Sequence, residues 1–201
     1  MTLGGRLKAY AADANPHVAA ANTIALMLAW NQPFYPLYLY WIVGRDAWTG
    51  IPDAFSAVLF AVVPAVCRRA PLAGRVFLVA ISALNVAFCS AMLGEDAGVQ
   101  LLYLPCGMLA AMLFSWRERW IMAPMATLPL VLWLLTRGRL DTPPVRFSAE
   151  AYGTLFRLNA VSAGLLMVFF GWLLAGIARD TERALLARAL HSPSRTAGEP
   201  E

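Results

Sequence analysis

LAGRVFLVAISALNVAFCSAML, residues 72–93, carries no charge beyond Arg75 and stops at Gly94, with the acidic pair Glu95 and Asp96 behind it. A helix rises about 1.5 Å per residue, so a run of this length crosses about 30 Å of hydrocarbon. Gly94 stands where a helix C-cap belongs, because glycine enters the left-handed conformation that ends a helix without a Cβ penalty. The stretch reads as a membrane-spanning helix, and its pattern recurs along the chain.

Upstream, the apolar run 18–43 is interrupted by Asn31, Gln32, Pro33 and Pro36. Two prolines remove two ladder donors, which predicts a kinked helix. Trp30, Phe34, Tyr35, Tyr38, Tyr40 and Trp41 crowd its second half, and those nearest Gly44 suit an interfacial aromatic belt. A shorter span over 51–67 follows, with Thr49 as N-cap, Pro52 in its first turn and Asp53 favoured there by the helix dipole. Downstream, spans over 98–116 and 120–136 are separated only by Arg117, Glu118 and Arg119, which forces an antiparallel hairpin. A polar connection containing Pro143 and Pro144 leads to Ser148, the cap of a last helix that crosses to about Ala178. The expected fold is all-α: a polytopic transmembrane helical bundle of about six spans. Residues 1–17 form a cytoplasmic segment, 18–178 the membrane domain, 179–190 a helical extension into water and 191–201 a disordered tail.

Composition agrees. Hydrophobic residues make up 60% of the chain and charged ones 14%, with mean hydropathy +0.60, whereas soluble domains carry about 25% charged residues. The net charge of +4 does not point to nucleic acid, because the basic residues are scattered between apolar runs and read as topology signals. Arg6, Lys8, Arg68, Arg69, Arg75, Arg117, Arg119, Arg179, Arg183, Arg188 and Arg195 fall on one side, while only Arg45, Arg137, Arg139 and Arg146 fall on the other. Positive-inside therefore places both termini in the cytoplasm, as an even number of crossings requires. The first apolar run is too long for a signal peptide, so none is expected. Cys67, Cys89 and Cys106 are widely spaced and read as small buried apolar residues, with neither a zinc site nor a disulfide framework.

Ionisable residues at depth usually betray function in membrane proteins. Here each Asp and Glu falls in a loop or within a turn of a span end, which argues against a proton- or cation-coupled transporter. His17 and His191 lie outside the core, and no phosphate loop, nucleophile elbow or HExxH helix occurs. No enzymatic activity, metal or cofactor is expected. The polar residues left at depth are Asn31, Gln32, Asn85 and Cys106. They line one midplane pocket, with carbonyls of Ala29 and Gln32 freed by Pro33, or else the amides merely bridge helices.

With Arg75 counted among the loop cations at the start of its span, Arg157 is the one cation placed well inside a predicted span. It snorkels to the outer interface or pairs with Asp53, Glu95 or Asp96. Small residues at helical spacing, Ala83, Ala87 and Ala91, then Gly107, Ala111 and Ser115, then Ala160 and Gly164, then Gly171 and Ala175, serve packing within the bundle or homodimerisation.

GEDAGVQLLYLP at 94–105, the tight Arg117, Glu118, Arg119 turn and the exit helix RDTERALLARAL at 179–190 make the layout resemble the six-helix membrane sensor modules that bacteria fuse to adenylate cyclases, diguanylate cyclases and histidine kinases. That resemblance implies a multi-pass protein of the inner membrane whose sixth helix transmits a conformational bias, commonly in a dimer. Only SPSRTAGEPE follows His191, so the expectation is a sensory, regulatory or accessory subunit that acts on a partner protein or on its own copy through Leu185, Leu186 and Leu190. The same segment would otherwise lie on anionic lipid through Arg179, Arg183 and Arg188. A carrier or channel for a small neutral or lipophilic compound is the alternative function.

Overall fold

The computed structural model describes residues 3–139 and 142–191, and among these the chain is helix and turn without strands. Helix α1 covers Leu3–Ala11. Helix α2, Pro16–Asn31, starts with proline at its first position and with the Asn15 side chain accepting from the His17 N–H at 3.0 Å. Pro33 has no N–H to continue the ladder, so the helix tightens into a 3-10 turn, Gln32–Phe34, before α3, Tyr35–Val43. The kink expected from the prolines is present. The Gln32 carbonyl, expected to be free, instead accepts from the Tyr35 N–H.

A left-handed Gly44 (φ +63°) ends α3. The 3-10 segment Gly44–Gly50 then leads into α4, Ile51–Arg69. Its N-cap is Gly50 and not Thr49, whose hydroxyl donates to the Asp46 carbonyl at 3.1 Å. Ala70 alone separates α4 from α5, Pro71–Leu93, and Gly94 closes α5 with φ +85° as its sequence predicts. Two 3-10 turns, Glu95–Ala97 and Val99–Leu102, meet at left-handed Gly98 and feed α6, Tyr103–Leu113. This helix is shorter than the expected fourth span, because Phe114 is extended and Ser115 opens a new turn, Trp116–Glu118. Helix α7 is Arg119–Thr136 and α8 is Ala149–His191. Ser148 accepts from the Ala151 N–H at 3.2 Å, the cap expected of it, and α8 runs without a break through the predicted exit point. The tail predicted beyond His191 lies outside the described residues.

Four helical runs, Pro16–Arg69, Pro71–Leu93, Trp116–Thr136 and Ala149–Arg183, are long and apolar enough to cross a membrane, while Val99–Leu113 is shorter. The first run doubles back, since α2 packs on α4. Apolar side chains point outward in quantity: Trp41 is 83% exposed, Trp120 80% and Val168 71%. Each large side chain left in water forgoes roughly 1.5–3 kcal/mol, a cost that lipid removes.

Inside, two apolar clusters are stacked. One joins Val18, Ala21 and Ile24 of α2 to Val63, Leu78, Leu109, Leu113 and Phe170. The other joins Leu39, Val86, Leu93, Val99, Tyr103 and Leu155. Of the small-residue stripes, Ala83 is fully buried, Gly107 faces the Ala126 carbonyl of α7 and Gly171 faces Met108 of α6, whereas Gly164 meets nothing nearby.

At one end of the bundle Arg75, counted in the sequence as a loop cation, is only 3% exposed. Its guanidinium donates to the Leu113 carbonyl (2.8 Å), to the Pro71 carbonyl (3.2 Å) and to both carboxylate oxygens of Glu118 (2.6 and 2.9 Å). Glu118 also accepts from the backbone N–H and hydroxyl of Ser115, forming a capping box. The tight turn between α6 and α7 is thus bolted to the first turns of α5.

Candidate functional site

Between the two apolar clusters lies a cavity of about 130 Å³, bounded by α2, α3, α4, α5, α6 and α8. Its chemical centre is Asp53, placed by Pro52 and Gly50 in the first turn of α4 and only 4% exposed. Three neutral donors converge on its Oδ1: Gln32 Nε2 at 3.1 Å, Asn85 Nδ2 at 2.8 Å and Cys89 Sγ at 3.1 Å. Asn85 and Cys89 reach it together because residues four apart share a helix face. Gln32 also donates to Ser56, whose hydroxyl donates back to the Asp53 carbonyl at 2.7 Å. Asp53 Oδ2 receives no hydrogen bond from the described residues.

Across the cavity, Asn159 of α8 is 1% exposed and donates to the Ala97 carbonyl at 2.9 Å, with the Tyr35 hydroxyl 3.4 Å away. This contact ties α8 to α3 and to the turn Glu95–Ala97. The remaining wall is largely apolar, from Leu28, Phe60, Val86, Leu109, Leu166 and Phe170. Asp53 is the one charged residue that lines the cavity among the described residues.

All four residues singled out by depth line this cavity: Asn31, Gln32, Asn85 and Cys106. Gln32 and Cys106 are buried, Asn85 is half-buried, and Asn31 is exposed on the bundle surface. Asp53, Cys89, Tyr35 and Asn159 were missed. Asp53 has a local reason to stand in a first turn, which hides its interior position, and an acid that lines the cavity removes the ground for excluding cation coupling. Asn159 gave a direct signal, an amide in the middle of an apolar run. Arg157 is exposed and donates to the Gly153 carbonyl at 3.1 Å, and the pairing with Asp53, Glu95 or Asp96 is not among the described ion pairs. At the far end of α8, Leu186 is 58% exposed, while the side chains of Leu185 and Leu190 lie outside the described residues.

A family model matches residues 7–187, which takes in every residue that lines the cavity. The chain belongs to the MASE7 family. MASE7 is a family of membrane-associated sensor domains, so the apolar faces turned outward belong to a membrane protein and the expectation of a membrane sensor module agrees with this assignment. No curated protein matches the chain. In this MASE7 chain the interior cavity and a long continuous helix leading away from it meet at α8.

Proposed function

We propose that this MASE7 chain is a multi-pass sensor of the cell's inner membrane, crossing about six times with both termini in the cytoplasm. In this reading the cavity around Asp53 takes a small molecule, and α8 carries its occupancy to the cytoplasmic side. The observation that supports it most is a buried carboxyl group opening on a cavity whose wall includes the same helix that runs on to His191. An ionisable residue at depth is expensive in a membrane protein and is kept mainly where it acts.

The coupling has a physical route. Asn159, Ser162, Leu166 and Phe170 of α8 line the cavity, and Asn159 also holds Ala97. A ligand that displaces these side chains differs in its contacts between two positions of α8, which is what a population shift requires. Helix displacements of about 1–2 Å are typical of such switches. The exposed Leu186 near the end of α8 offers an apolar contact to a partner protein or to a second copy, as a regulatory or accessory subunit would need.

Spin labels on Leu7→Cys and Leu186→Cys, in a chain that keeps its three buried cysteines and is held in lipid nanodiscs, test the coupling. Filling the cavity with Ser162→Phe should move the distance distribution by about 1–2 Å or more; superimposable distributions would reject transmission through α8. A single label at Leu186 reads the second copy, and the absence of any intermolecular distance would count against a dimer built on this helix.

A further inference from the structure

We propose that the ligand of the cavity is a small organic cation, an ammonium group carried on a compact apolar body. The inference rests on the cavity being the sensing site and deepens that reading. Its basis is geometric: one acidic side chain faces the cavity, and the protein places no cationic group beside it.

Asp53 is the one charged residue on the wall, and no Lys, Arg or His lines the cavity among the described residues. Its partners Gln32, Asn85 and Cys89 are neutral, and all three donate to the same oxygen, Oδ1. They fix the orientation of the carboxyl group and leave Oδ2 without a donor. A buried carboxylate needs a cation and a full set of hydrogen bonds to offset its desolvation, and here the second oxygen awaits both. An ammonium N–H donating to Oδ2 would supply charge and hydrogen bond together, and such charge-assisted bonds are roughly twice as strong as neutral ones.

The alternatives fit less well. An anion would meet Asp53 with like charge. A bare metal ion would need several oxygen or sulfur ligands to replace its water, yet no group of three or more His, Cys, Asp or Glu side chains suited to a metal occurs among the described residues. The rest of the wall, Phe60, Val86, Leu109, Leu166 and Phe170, asks for hydrocarbon. Roughly 150 Å³ is enough for a benzene-sized molecule, so the cavity of about 130 Å³ suits a body of one small ring or a short branched chain.

The test is direct binding to the full chain in nanodiscs, by calorimetry and saturation-transfer NMR, with cyclohexylammonium, cyclohexanol and cyclohexanecarboxylate as probes of one shape. The amine should bind about tenfold or more tightly than the alcohol, as a hydrogen bond to a charged group warrants, and the carboxylate should not bind. Asp53→Asn, which keeps size and shape, should bring the amine down to the level of the alcohol. Equal binding of amine and alcohol by the wild-type chain would overturn the cationic class while leaving the cavity a ligand site. Amine binding unchanged in Asp53→Asn would place the amine elsewhere, in the bilayer or on the surface, and overturns it too. Absence of binding by all three probes would also overturn it, with the α8 label distances then deciding separately whether the cavity is a sensing site. If Asp53→Asn does not fold, the ranking of the three probes on the wild-type chain decides alone.

Discussion

Glu118→Ala should lower the stability of the folded chain by about 3 kcal/mol, although the residue sits in a turn. Arg75 is the reason. Its guanidinium is buried at the start of α5, and of its four hydrogen bonds two go to Glu118. Removing one partner of a buried pair leaves an uncompensated charge, which costs about 3–5 kcal/mol. Glu118 is itself 26% exposed, so water reaches the vacated place and the lower end of that range applies. Replacing Arg75 by methionine in the same chain removes the stranded charge and restores an apolar filler, so the double variant should be more stable than Glu118→Ala by about 2 kcal/mol. Unfolding in mild detergent, followed by circular dichroism across the double-mutant cycle, measures this; additive losses would mean that the two groups act independently.

Gly74→Ala is expected to destabilise the chain by about 2–3 kcal/mol, against the sign that helix propensity gives. Glycine inside a helix is worse than alanine by about 1 kcal/mol, so an unopposed substitution would stabilise α5. A Cβ at Gly74, however, would collide with Cys67 Sγ and lie 2.7 and 2.8 Å from its backbone N and Cα. Two of those atoms are backbone and cannot turn aside, so α4 and α5 must separate near the Ala70 junction. Overpacking of this kind costs about 1–3 kcal/mol and occasionally more. Cys67→Ala removes only the sulfur and should rescue little. A Gly74→Ala chain as stable as wild type in the same detergent unfolding would show that the hairpin is looser than described.

Features set by one residue's own conformational preference are legible in the sequence, whereas those set by a choice between competing partners are not. The left-handed Gly94, the kink at Pro33 and the Ser148 cap follow from conformational preferences of single residues. Thr49 failed as a cap because its hydroxyl finds the Asp46 carbonyl inside the preceding turn, leaving the position to Gly50. The fourth span shrank to α6 since Ser115 and Glu118 start their own capped turn. Arg75 looked like a loop cation because its carboxylate partner lies far along the chain, beyond α6. At the cavity, depth along each run sufficed to collect Asn31, Gln32, Asn85 and Cys106. An acid in a first turn such as Asp53 already has a local reason to be there; only packing of the turn Gln32–Phe34 and of α5 against α4 shows that it faces inward.

In the native membrane a small molecule should occupy the interior beside Asp53. Native mass spectrometry of the full chain, released from membrane without exchange of bound compounds, addresses it most directly when wild type and Ser162→Phe are compared. A discrete small-molecule adduct on the wild-type chain that disappears in the filled variant is the predicted result. A bare wild-type chain, or the same adduct on both, would contradict it.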